Sequence, residues 1–210
     1  MNRLPVINNK HKICIICEGL EEHLYLNRLL DLSVWSDEYD FTLINAKGES
    51  RIFSIYQNAY NNARYEMIII FCDTDRYPQK EYSLIKEKIN QFHNSRVATN
   101  KVVIFANPCT MQIILSHFGD VKLTKQSKKL NAPIIKELTG IDNYDAKEQQ
   151  VKDVCSKIYR RTYPQMKQRV EKINFNDNVC CSTNFIEFVN KFENDDTKWI
   201  KETNKLLEKN

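Results

Sequence analysis

Three acidic side chains follow the ends of two short apolar runs. Glu18 closes Ile13–Cys17 and is followed by Gly19, while Asp73 and Asp75 close Met67–Cys72 with Thr74 between them. Side chains at i and i+2 of an extended chain share a face, so Asp73 and Asp75 are expected to point together. Two like charges held that close are costly unless a cation lies between them. Oxygen donors with no His or Cys set beside them favour Mg²⁺ or Mn²⁺ over zinc. A D-x-D at a strand end is also a common turn that caps the next helix, but a second acid ending another apolar run strengthens the cation reading. Glu21 and Glu22 are more ambiguous, because acids in the first turn of a helix are stabilised by the macrodipole alone. Glu22 is therefore a further candidate ligand behind Glu18, Asp73 and Asp75.

These acids need a scaffold that ends its strands at one edge. Lys12–Glu18 reads as a buried strand, and Glu21–Leu32 as a helix after the glycine turn. Phe41–Asn45 reads as a second strand, with Lys47-Gly48-Glu49-Ser50 turning into a helix that carries Ile52, Ile55, Tyr56 and Ala59 at helical spacing. Glu66–Cys72 is a third strand, followed by a helix over Gln79–Asn90. Lys101–Ala106 is a fourth, ended by Asn107-Pro108 and followed by a helix over Met111–Phe118. Alternating units of this kind imply a Rossmann-like α/β fold, a parallel sheet sandwiched by helices, in which ligands bind beyond the carboxyl ends of the strands. After Asp120 the pattern is helical throughout. The expected organisation is an α/β domain over 1–119, a basic helical insertion over 120–172 and a C-terminal helical segment over 173–210 that packs back on the domain.

Glu18-Gly19-Leu20-Glu21-Glu22-His23-Leu24-Tyr25 resembles the E-G-x-[TE]-E-x-x-Y stretch of Toprim domains, and Phe71-Cys72-Asp73-Thr74-Asp75 their h-h-D-x-D stretch. The likeness extends to the RloB-like and OLD-type nucleases of bacterial defence systems. Lys47-Gly48-Glu49-Ser50 is similar to their glycine turn, and Asn107-Pro108-Cys109 with Ser116-His117-Phe118 to an N-P-x-(F)-E-x-W-x-x-x-H-F segment. The resemblance spans about residues 12–118. It implies Mg²⁺-dependent phosphodiester chemistry in which Asp73 and Asp75 hold metal and Glu18 is a ligand or general acid/base, in antiphage defence. The pattern departs at Thr110 and Met111, which stand where it carries an aromatic residue and an acid. A chain without that acid could use Glu22 instead, or could be a nucleic-acid or nucleotide-binding module that has lost turnover and acts with a partner ATPase. Asn107 and His117 are expected to support the site by orienting and packing.

Charge locates the expected polyanion. Residues 121–172 carry 13 basic and 6 acidic side chains, a balance of +7 within a net charge of +4 for all 210 residues. Lys122, Lys125, Lys128 and Lys129, then Arg160, Arg161, Lys167 and Arg169 interleaved with Tyr159 and Tyr163, are candidate contacts to RNA or DNA, with Lys47 at the glycine turn. The bland alternative is a solvated helix face. No apolar window approaches the ~18 residues of a membrane span, and the N-terminal stretch lacks a signal-peptide pattern. With seven cysteines lying mostly in apolar runs, a reduced, cytoplasmic protein is expected, with a homo-oligomer among its possible assemblies.

Overall fold

Strands form where β-branched and aromatic residues run together. The computed structural model describes residues 10–74, 79–123 and 127–208. In chain order, β1 (His11–Cys17), α1 (Leu20–Asp31), β2 (Tyr39–Asn45), α2 (Ile52–Asn61), β3 (Met67–Asp73) and α3 (Lys80–Phe92) alternate. They are followed by α4 (Ala98–Val102), β4 (Val103–Asn107) and α5 (Met111–Leu115), then α6 (Lys128–Thr139), α7 (Glu148–Ser156) and α8 (Tyr163–Val170). The chain closes with β5 (Ser182–Thr183), α9 (Phe185–Glu193) and α10 (Lys198–Leu207).

The sheet order is β2-β1-β3-β4-β5, parallel except for β5. Every residue of β3 is buried, as a strand covered on both faces must be. Each large apolar side chain withdrawn from water there contributes roughly 1.5–3 kcal/mol. Phe71 stacks on Phe185 of α9 at 5.6 Å, and Tyr25 of α1 meets the same ring at 5.9 Å, which places α1 and α9 on one face. Tyr82 of α3 meets Phe105 at 6.2 Å on the other.

Two elements depart from the sequence reading. Strands do not cease after Asp120: Ser182-Thr183 pairs antiparallel with Ala106-Asn107. The pairing is fixed by tertiary bonds, in which Asn184 donates to the Val103 carbonyl at 2.8 Å and its Oδ1 accepts from the Phe105 amide at 2.9 Å. Lys101-Val102, expected at the start of the fourth strand, end α4 instead. The basic stretch packs on the sheet unit, for Arg28 of α1 donates twice to the Ile158 carbonyl, at 2.7 and 3.0 Å.

β1 leads to β2 in one direction and β3 leads to β4 in the other, so the chain reverses its winding between β1 and β3. That leaves a crevice at the carboxyl ends of these two strands. Glu18 and Asp73 stand there.

Candidate metal centre

The crevice is built by backbone bonds. Glu18 donates its amide to the Phe71 carbonyl at 2.9 Å, and Asp73 donates its own to the Glu18 carboxylate at 2.9 Å. Gly48 donates to the Glu18 carbonyl at 2.9 Å, which brings the Lys47-Gly48 turn to the same edge. Gly48 has φ of +123°, a conformation that side-chain-bearing residues rarely adopt. α1 starts directly after Glu18-Gly19, so its first turn overhangs the crevice. Glu22 accepts from the Gly19 amide at 2.9 Å, satisfying one of the donors a helix start leaves unpaired.

The result is a cluster of carboxylates. Oxygens of Glu21, Glu22 and Asp73 lie within 4.8 Å of one another, with Glu22 only 3% and Asp73 8% exposed. Burial first, then the Glu21 charge, pushes Glu22 up from the usual carboxylate value to about 7. Burial, then Glu22, Glu18 and Glu21, hold Asp73 well above the ordinary range. One group works the other way: Thr110 donates its amide and hydroxyl to Asp73 at 2.7 and 2.8 Å, favouring the ionised form.

A cavity of about 250 Å³ opens over these acids, walled by Glu18, Met111, Lys128, Asn131 and Tyr144. Tyr144 donates its hydroxyl to Glu21 at 2.6 Å and so fixes the outermost carboxylate. Cys109 also lines the cavity, but burial and the neighbouring Asp73 and Glu21 charges hold its thiol far above the ordinary thiol range, in the protonated form that does not ligate. The donor set is therefore carboxylate oxygen, which suits a hard divalent cation, and the mutual repulsion of the acids gives that cation a reason to bind. This acidic triad could hold a metal ion.

The sequence candidates divide accordingly. Asp73 meets Glu22, the further candidate, and Glu21, which sequence alone could not separate from a helix-start acid. Glu18 lines the same cavity, with its carboxylate on the Asp73 amide. Asp75 and Lys125 lie outside the described residues. Lys128 reaches the cavity wall, and Lys47, Lys122, Lys129, Arg160 and Arg161 are exposed. Lys167 and Arg169 are engaged within the chain: Lys167 pairs with Glu193, and Arg169 donates to the Ser116 carbonyl at 2.7 Å and approaches Asp120 at 3.4 Å.

Asn107 donates to the carbonyls of Asp177 at 2.8 Å and Val179 at 3.2 Å, orienting a neighbouring loop. His117 is a packing residue, 1% exposed between the Tyr25 hydroxyl at 3.0 Å and the Thr162 hydroxyl at 2.9 Å. Burial lowers its pKa to about 3, so it stays neutral. Met111 is buried and apolar, and it adds no ligand. Tyr144 and Asn131 carried no sequence signal, since each reaches the crevice from a segment remote from both acidic motifs, and Thr110 stood out only as a departure from the pattern.

Compared with known protein families, with curated proteins and with solved structures, the chain matches none. Among the described residues, no helix is long and apolar enough to cross a membrane.

Proposed function

We propose that the protein is a Mg²⁺- or Mn²⁺-dependent nuclease of the Toprim kind, hydrolysing phosphodiester bonds of RNA or DNA. The observation that carries the reading is the meeting of Glu21, Glu22 and Asp73 at the crevice between β1 and β3. A divalent ion held there would supply Lewis-acid polarisation of the phosphoryl group and activation of water. Asp73 and Glu22, carried on a strand end and a helix start, are the rigid ligands. Glu21 completes the set under the hold of Tyr144. Glu18, in the same cavity, would take a proton from the attacking water and deliver it to the leaving oxygen. Lys128, exposed and lining the same cavity, would draw the phosphate in and offset its charge.

The likeness of Glu18–Tyr25 and Phe71–Asp75 to Toprim motifs supports this chemistry, and the exposed lysines and arginines of 121–172 support a polyanionic substrate. A role in antiphage defence rests on that likeness alone. A second reading, a cation-dependent nucleic-acid or nucleotide-binding module without turnover that acts with a partner ATPase, draws on Met111, which leaves the crevice one acid short of the motif it resembles.

Incubation of labelled single-stranded RNA, tRNA and plasmid with Mg²⁺ or Mn²⁺ decides between them. Cleavage that disappears in chelator and in Asp73→Asn supports the nuclease. Binding of the same substrates without cleavage supports the module, and neither binding nor cleavage removes both.

A further inference from the structure

A cavity of about 940 Å³, nearly four times the acidic one, lies at the other end of the sheet. It is lined by His11 and Met67, the first residues of β1 and β3, whereas the acids follow the last. Its volume falls within the ~300–1,000 Å³ of small-molecule sites, and its walls have the composition such sites share, mostly apolar with a few convergent polar groups. α10 forms one side. Ile200 and Leu207 of that helix line the cavity together with two half-buried rings, Tyr60 near the end of α2 and Tyr65 two residues before β3.

Three lysines of α10, Lys198, Lys201 and Lys205, line the groove, and Lys198 is paired with Asp196. Lys201 and Lys205 are one helical turn apart, both exposed, both lining the cavity, and neither belongs to an ion pair among the described residues. Like charges at i and i+4 of a helix destabilise it, so an anion between them is favourable. Two acids also line the groove. Glu66 is engaged by His11 at 2.8 Å, and Glu208 lies beyond the end of α10, one turn past Lys205.

We infer that this groove is a second ligand site, for an anion bearing a planar ring, of which a nucleoside monophosphate is the simplest case. The ring lies against Tyr60 and Tyr65 over the apolar floor, where aromatic stacking tolerates any base, and the phosphate sits on Lys201 and Lys205. Because the site is at the amino end of the sheet, its occupancy is independent of the acid crevice.

Calorimetric titration with adenosine 5′-monophosphate in chelator tests this directly, with adenosine and inorganic phosphate as separate arms. The expected result is saturable binding of the nucleotide, with each fragment at least tenfold weaker. Lys201→Glu/Lys205→Glu, two exposed substitutions whose folding is checked by thermal melting, should weaken the nucleotide at least tenfold, as should Tyr65→Leu. Asp73→Asn should leave it unchanged. No binding by the wild type, equal binding by the double charge reversal, or loss of binding in Asp73→Asn would each overturn the assignment. So would a light-scattering mass that shows a dimer broken by the charge reversal, since the groove would then belong to a second copy of the chain.

Discussion

Two carboxylate neighbourhoods, one buried around Asp73 and one half-buried around Asp177, lie around the carboxyl end of this sheet, and they are wired in opposite ways. Asp177 accepts from the Lys86 ammonium at 2.5 Å and the Tyr82 hydroxyl at 3.1 Å, while its backbone carbonyl takes the side-chain amides of Gln79 and Asn107. Its charge is matched, and the matching ties the loop after Ile173 to α3 and β4. Asp73 faces Glu18, Glu21 and Glu22, and the groups that favour its ionised form are the neutral donors of Thr110. A carboxylate arranged like Asp177 holds the fold together. One arranged like Asp73 works against the fold, and such strain is characteristic of functional sites.

The sharpest way to break this contrast is to neutralise each acid in turn. Asp73→Asn should cut cleavage by at least ~10²-fold, the size of a lost catalytic group, while raising the melting temperature measured in chelator. Asp177→Asn should do the reverse, costing roughly 1–3 kcal/mol of stability in a denaturant titration and leaving turnover nearly intact, because it removes the partner of a half-buried lysine. Equal effects of the two variants on either readout would erase the distinction.

Acidity sharpens it further. Glu22 and Asp73 hold protons more tightly folded than unfolded, so stability in chelator is greatest below the ordinary value of 4.5 and falls as pH rises through about 7. Melting temperatures in chelator should therefore decline between pH 5 and pH 7.5, and Glu22→Gln should flatten the slope. Excess Mn²⁺ should restore stability at the upper end, by about 2.7 kcal/mol at a hundredfold excess over Kd. The smallest effect belongs to Tyr144→Phe. Loss of its bond to Glu21, worth about 1 kcal/mol, should weaken Mn²⁺ a few-fold with little change in the melt.

β1, β3 and β4 were legible as apolar runs that burial on both faces explains, and β2, a half-buried edge strand, by its alternation. β5 was not, since Ser182-Thr183 has no strand pattern and owes its pairing to Asn184 and to the partner edge of β4. α4 was lost because Lys101-Val102 continues the apolar composition of the strand it precedes. At the site, Glu18 and Asp73 could be read from the strand ends. Glu21 could not be told from a helix-start acid until Asp73 was seen within reach. Tyr144 bonds Glu21 across 123 positions, a separation no local pattern records. The charge excess of 121–172 was real as a count but mixed in use, because Lys167 and Arg169 are spent on Glu193, Ser116 and Asp120 while Lys128 stands at the cavity.

Calorimetric titration of Mn²⁺ at pH 7, repeated in buffers of different ionisation enthalpy, bears most directly on whether the acids are a cation site. One ion should bind per chain with protons released on binding, and both signals should be lost in Glu22→Gln and Asp73→Asn. Absence of binding, or binding that persists unchanged in both variants, would contradict a cation site.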